Sequence, residues 1–194
     1  MTATERDRLR VTRAQITDDF ATIERRAELA IYPGAGPRRL YELECDALRE
    51  HQDCSVLWAA ASGHNLSVRT DAFLCAGGFD EDLDINEHRE LCLRLCAAGA
   101  RMTMVDGARS FHMTHRSGWR DPLQDARWEQ VFYRAHPLPA VKLLALFWAT
   151  VGGAVALPPE ARIETLVALE RAAQGNDGVD YDAARRLVPG VLSP

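Results

Sequence analysis

The segment LLALFWATVGGAVAL, Leu143 to Leu157, is the longest apolar stretch of the chain and the strongest limit on how it can fold. Its 15 residues fall short of the roughly 20 that a helix needs to cross a bilayer. A buried helix or hairpin at the centre of a core is therefore expected, with contact at a membrane surface as the alternative. The 194-residue length suits one core of ordinary size. A net charge of −5 with arginines scattered along the chain argues against nucleic acid, whose phosphates require a concentrated basic face. Cys45, Cys54, Cys75, Cys92 and Cys96 form no CxxC pair. With the polar start MTATERDRLRVTR, they read as reduced thiols of a cytoplasmic protein.

Hydrophobic spacing places the other elements around that segment. Phe20, Ile23, Ala27 and Ile31 recur at helical intervals, predicting an amphipathic helix from Thr17 to Ile31. YPGAGP, residues 32–37, breaks it. A second helix is expected over Arg38–Glu50, with Leu40, Leu43 and Leu48 inward. CSVLWAA, Cys54 to Ala60, reads as a buried strand, and RTDAFLCAGGF as a short helix stopped by Gly77 and Gly78. Next, Asp84 and Glu87 have capping-box spacing, His88, Leu91, Cys92 and Leu95 share a face, and Gly99 marks the helix end. ARMTMVDGARSFHMTH alternates around a D-G turn and predicts one or two strands. A further helix is expected near Glu160–Ala173, then a short one in the tail. The organisation reads as an N-terminal helical segment (1–50), a central region (51–136) and a C-terminal helical region (137–194).

The acidic stretch Asp80–Glu90 fits a helix start stabilised by the dipole. The order of features around it adds a second reading. Gly63, Asn65, Ser67 and Arg69 are followed by Gly77-Gly78-Phe79-Asp80-Glu81, then Glu87-His88 with Glu90-Leu91 and Arg94-Leu95, and finally His112 and His115. In this order the segments resemble the acceptor-side half of family-2 glycosyltransferases with the GT-A fold. The resemblance implies an α/β layered, partial GT-A-like fold with added C-terminal helices. It implies inverting transfer of a sugar from a nucleotide-sugar donor to an acceptor hydroxyl.

Such a reaction needs a base beside the acceptor, and a divalent cation, manganese or magnesium, can take up charge on the leaving diphosphate. The family's base is an aspartate at the position held here by His88, whose imidazole can accept a proton near neutral pH. Glu87 would assist it or cap the helix. Asn65, Arg69, Asp80, Glu81 and Trp119 would line the acceptor side. His112 would hold the metal, with His115 as the alternative, since their spacing puts them on opposite faces of a straight strand. For Trp119 and Trp128, core burial competes with stacking on a sugar.

The same resemblance implies a preceding nucleotide-binding half that ends in a D-x-D motif. The residues before Gly63 show no such pattern, and Asp80–Asp82 and Asp82–Asp84 belong to the G-G-F-D-E element. The chain thus reads as a truncated or split transferase, expected as a homodimer or with a partner chain supplying the missing half. A non-catalytic partner or regulatory subunit of a complete transferase is the alternative.

Overall fold

The computed structural model describes residues 10–28, 36–108, 110, 127–153 and 155–188. The described residues divide into two compact units, one holding residues 10–28 and the other the remainder.

The first unit consists of α1 (Arg13–Asp18) and α2 (Phe20–Glu28). One continuous helix from Thr17 was expected, but Asp19 leaves helical geometry at φ −146° and ψ 53° and divides the segment. The start lies earlier than expected because Thr12 and Gln15 form a reciprocal capping box, with Thr12 N donating to Gln15 Oε1 at 2.9 Å. Ile23 is buried, whereas Phe20 is 46% exposed.

The second unit is built around α7 (Pro139–Gly152), the helical part of the long apolar segment. Leu138 precedes a proline at the first helical position, and Gly153 ends the helix in the left-handed region at φ 61°. Val141, Leu144, Leu146, Phe147 and Ala149 have no exposed surface, so apolar burial surrounds this helix, as its composition demands. Against it pack α3 (Gly36–Glu50), α6 (Arg127–Ala135), α8 (Leu166–Gln174) and α9 (Tyr181–Arg185). Among the described residues no helix is long and apolar enough to cross a membrane. Trp128 of α6 packs on Trp148 of α7 with ring centroids 5.1 Å apart, which settles its role as a core residue. Arg185 of α9 pairs with Glu129 of α6 in the interior, and Lys142 of α7 pairs with Asp182 at 2.7 Å.

The expected α/β layered arrangement is not formed: the described residues are helical and contain no strand. Cys54–Ala60, read as a buried strand, instead runs into a 3-10 turn at Leu57–Ala60. Its amides bond locally, Leu57 N to Cys54 O at 3.1 Å and Ala59 N to Val56 O at 2.9 Å. A short apolar run bears the same signature in a buried strand and in a buried turn. Residues 101–105 take no regular secondary structure, and no strand exists among the described residues for them to pair with. Residues 106–107 turn instead of extending a strand, and Arg109 and residues 111–115 lie outside the described residues, as therefore do His112 and His115, and Trp119 with them.

Two helices remain. Thr70–Cys75 forms α4, which ends at Gly77 and Gly78, both left-handed at φ 83° and 75°. Glu87–Ala97 forms α5, whose end at Gly99 is left-handed at φ 89°, with Ala100 N bonding back to Leu95 O at 2.9 Å. The expected Asp84–Glu87 capping box does not form. The residue preceding the helix is Asn86, buried and left-handed at φ 71°, with no side-chain cap on the helix amides.

α3, α5, α7 and the 3-10 turn meet at Arg89. Its guanidinium donates to Glu44 Oε1 of α3 at 2.6 Å and to the Ala59 carbonyl of the turn at 2.9 Å. It lies 5.3 Å from the ring centre of Trp148 in α7. Burial pushes the Glu44 carboxyl up from 4.5 to about 7, against the pull of Arg89. Between those values the folded chain holds a proton that the unfolded chain releases. The stabilising contribution of this linkage is therefore complete below about 4.5 and lost as pH rises through about 7. The whole effect is on the order of 3 kcal/mol. His88 acts in the opposite sense, because burial lowers its pKa and favours the fold as pH rises through 6.5. Comparison with Glu44→Gln isolates the first effect. In urea unfolding from pH 4 to 8, the stability of the native chain relative to Glu44→Gln should fall across this window. A constant difference would show that Glu44 titrates normally.

Candidate functional site

α5 carries two polar faces, each closed by one of the segments singled out in the sequence. Glu87 and His88 open its first turn, with side chains 39% and 17% exposed. The His88 ring lies against Gly63, where an added Cβ would come within 3.1 Å of both ring atoms Cγ and Nδ1. A methyl group at position 63 would crowd the imidazole and require it to give by a few tenths of an ångström. The loop that Gly63 opens is held further on, where Asn65 Nδ2 donates to the Ala108 carbonyl at 2.7 Å.

The protonation of His88 follows from its neighbours. Arg89 Nη1 lies 2.8 Å from His88 Nε2, and a guanidinium has only hydrogens to offer. Nε2 must therefore be the accepting nitrogen, leaving the ring proton on Nδ1. That nitrogen faces Glu87 Oε1 at 3.4 Å. Burial, with the charge of Arg89 in support, holds the His88 pKa below its ordinary value, although Glu87 opposes the shift. The hydrogen bond from His88 holds the Glu87 carboxyl below its usual value despite partial burial. A neutral imidazole beside an ionised, more accessible carboxylate is the result.

Two residues along the helix, Glu90 points to the other face. Both of its oxygens accept from Arg94, at 2.7 and 2.6 Å, and Oε1 also meets His136 Nε2 at 2.7 Å. Burial would raise its pKa, but Arg94 and His136 hold it below the ordinary value. Arg94 also donates to the carbonyls of Ala76 and Gly78, the latter at 2.7 Å. It thereby fixes the two left-handed glycines that follow α4. Gly77, Gly78, Phe79 and Asp80 line an open cleft of about 330 Å³ with Glu90, Arg94, Ala135 and His136. Phe79 is 49% exposed and meets Phe73 edge-on at 5.4 Å. Asp80 Oδ1 accepts from Asp82 N at 2.9 Å.

The residues expected to act together are thus divided. Glu87 and His88 sit with Gly63 at the first turn, and Asp80 lies in the cleft. Arg69 forms an exposed pair with Asp71 at 2.6 Å, and Glu81 is exposed. Among the described residues no three histidine, cysteine, aspartate or glutamate side chains gather as a metal site would require. Sequence reasoning missed Glu44, Arg89 and His136. The first two carried a signal: Glu44 lies between Leu40 and Leu48 at helical spacing, and Arg89 precedes Cys92 and Leu93 on a buried face. His136 carried none.

No protein-family model matches the chain, and no solved structure matches it. The chain is similar to the succinoglycan biosynthesis protein ExoA of Rhizobium meliloti (strain 1021), 31% identical over 103 residues. The match covers 53% of this chain and 24% of that relative, so the chain spans about a quarter of the relative's length.

Arg94→Met tests how far the cleft depends on one side chain. It would strip the buried Glu90 carboxylate of its guanidinium and leave two carbonyls without their donor. Loss of one partner of a buried pair costs about 3–5 kcal/mol, so a drop of this size is expected in urea unfolding. A loss below about 1 kcal/mol would show that Arg94 does not hold the glycine turn.

Proposed function

We propose that the chain is the acceptor-side portion of a glycosyltransferase-like protein, acting on a saccharide hydroxyl. The observation that carries this reading is the convergence of its motif segments on α5: Gly63 under the His88 ring, and the Ala76 and Gly78 carbonyls on Arg94. The similarity to a succinoglycan biosynthesis protein supports it, because making a polysaccharide requires sugar transfer. In the proposed reaction the acceptor oxygen attacks the anomeric carbon of a nucleotide-sugar. The bond to the nucleotide diphosphate breaks with inversion, and the hydroxyl proton passes to a base.

Within the Glu87–His88 pair, the geometry favours Glu87 as the base of the proposal. The Nε2 lone pair of His88 is already occupied by Arg89, whereas the Glu87 carboxylate is ionised and the more accessible of the two. Glu87 is the proton acceptor of the proposal, and His88, first in line from the sequence, orients it. The open cleft beside Phe79 and Asp80, on the other face of α5, offers an aromatic face and a carboxylate to a more distant unit of the acceptor saccharide, and Asn65, Arg69 and Glu81 are the remaining acceptor-side residues of the proposal. A divalent cation enters only through His112, outside the described residues. The described residues assemble no ligand set for it. The donor-binding half is proposed to come from a partner chain or from further sequence. A regulatory subunit of a complete transferase is the second reading, favoured by histidine where the family has aspartate.

Saturation-transfer NMR with cello-, galacto- and mannotriose tests the acceptor reading without a donor. Enhancement of at least one trisaccharide, lost in Phe79→Ala, is expected. No transfer to any of them would remove the proposal. Once transfer from UDP-glucose, UDP-galactose or GDP-mannose is measurable, Glu87→Gln should lower it by about 10²–10⁴. His88→Ala should lower it less. The opposite order would return the base role to His88.

A further inference from the structure

The guanidinium of Arg89 touches more of the structure than any other polar group near the candidate site, and one of its contacts is with His88. Resting on the reading above, we infer that Arg89, anchored by Glu44, is a positioning residue that fixes the His88 tautomer and thereby aims Nδ1–H at the Glu87 carboxylate. An imidazole free in water carries its proton mainly on Nε2. Here Arg89 Nη1, 2.8 Å from that nitrogen, presents a hydrogen to it and so forbids a proton there.

Arg89 cannot turn away to accommodate the other tautomer. Glu44 Oε1 accepts from its Nη2 at 2.6 Å, the Ala59 carbonyl from its Nε at 2.9 Å, and Asn86 Oδ1 from its Nη1 at 3.2 Å. Trp148 stacks against it at 5.3 Å. These anchors come from α3, the 3-10 turn, the residue preceding α5 and α7, so the guanidinium plane is held from several directions. Its Nη1 is shared between Asn86 Oδ1 and His88 Nε2, which ties the ring to the left-handed residue at the helix start. Gly63 lies beside the ring's Cγ and Nδ1, where even a methyl group would crowd the imidazole. The result is a relay of orientation, Glu44 to Arg89 to His88 to Glu87, with no proton passed along it.

The test reads the tautomer directly in the full chain. Long-range ¹H–¹⁵N spectra of labelled protein near neutral pH, with His88 assigned by its disappearance in His88→Gln, should show a protonated Nδ1 and a bare Nε2. A proton on Nε2 in the native chain would overturn the inference without any variant of Arg89. Arg89→Lys supplies the second arm. A lysine can keep the charge beside Glu44 but lacks the planar fork that reaches both neighbours. The expected result is a shift of His88 toward the Nε2–H tautomer, with helical circular dichroism retained. An unchanged tautomer in a folded Arg89→Lys chain would equally overturn it. Should that variant fail to fold, a scalar coupling across the hydrogen bond between Arg89 Nη1 and His88 Nε2 in the native chain decides, and its absence counts against the inference. None of these readings uses a saccharide. A confirmed tautomer with no acceptor binding would therefore defeat the transferase proposal alone, and acceptor binding with the wrong tautomer would defeat only the relay.

Discussion

The buried ion pair between Arg89 and Glu44 is the constraint on which the rest of the second unit depends. Their side chains are 10% and 8% exposed, and removing two charges from water costs more than a single contact returns. The cost is offset because Arg89 is also hydrogen-bonded by Ala59 and Asn86 and lies against Trp148. A buried charge with this many partners specifies arrangement more than it adds stability. It sets α3, α5, α7 and the 3-10 turn in one relation, where apolar surfaces alone would tolerate several.

That relation explains why α5 can serve two faces. Leu91, Cys92, Leu93 and Leu95 are buried along it, so the helix is held as a core element rather than as a surface one. Its polar side chains are left to organise loops. His88 meets Gly63 at one place, and Glu90 and Arg94 hold the Gly77–Gly78 turn at another. A rigid element that positions two irregular segments is a usual basis for binding, because loops supply the contacts and the helix supplies the precision.

Much of this was legible in the sequence, and the failures have physical causes. The end of α5 at Gly99 and the stop at Gly77–Gly78 were legible because left-handed backbone strongly favours glycine. The start of α5 was not. The D-x-x-E spacing of Asp84 and Glu87 suits a capping box, but Asn86 in left-handed geometry begins the helix. Cys54–Ala60 was misread for lack of long-range information, since its amides could have bonded to a neighbouring strand and instead bond within a turn. The α/β expectation rested on the mixed order of expected helices and strands as well as on the family resemblance, and it falls because no strand forms among the described residues. The site was half legible: its motif segments were visible one by one, while the Glu44–Arg89 pair and His136 depend on contacts between elements far apart in sequence.

The most direct test of this account is a double-mutant cycle on Glu44 and Arg89, using Glu44→Gln, Arg89→Met and the double variant in urea unfolding at pH 8. If the pair is the joint between the helices, Arg89→Met, which leaves Glu44 charged and unpaired, should be strongly destabilised, and the double variant should recover much of the loss. The coupling should lie at the upper end of the usual range, about 2–3 kcal/mol. Additive losses, with coupling below about 0.5 kcal/mol, would show that the two charges are neighbours without being a joint, and the central claim would fail.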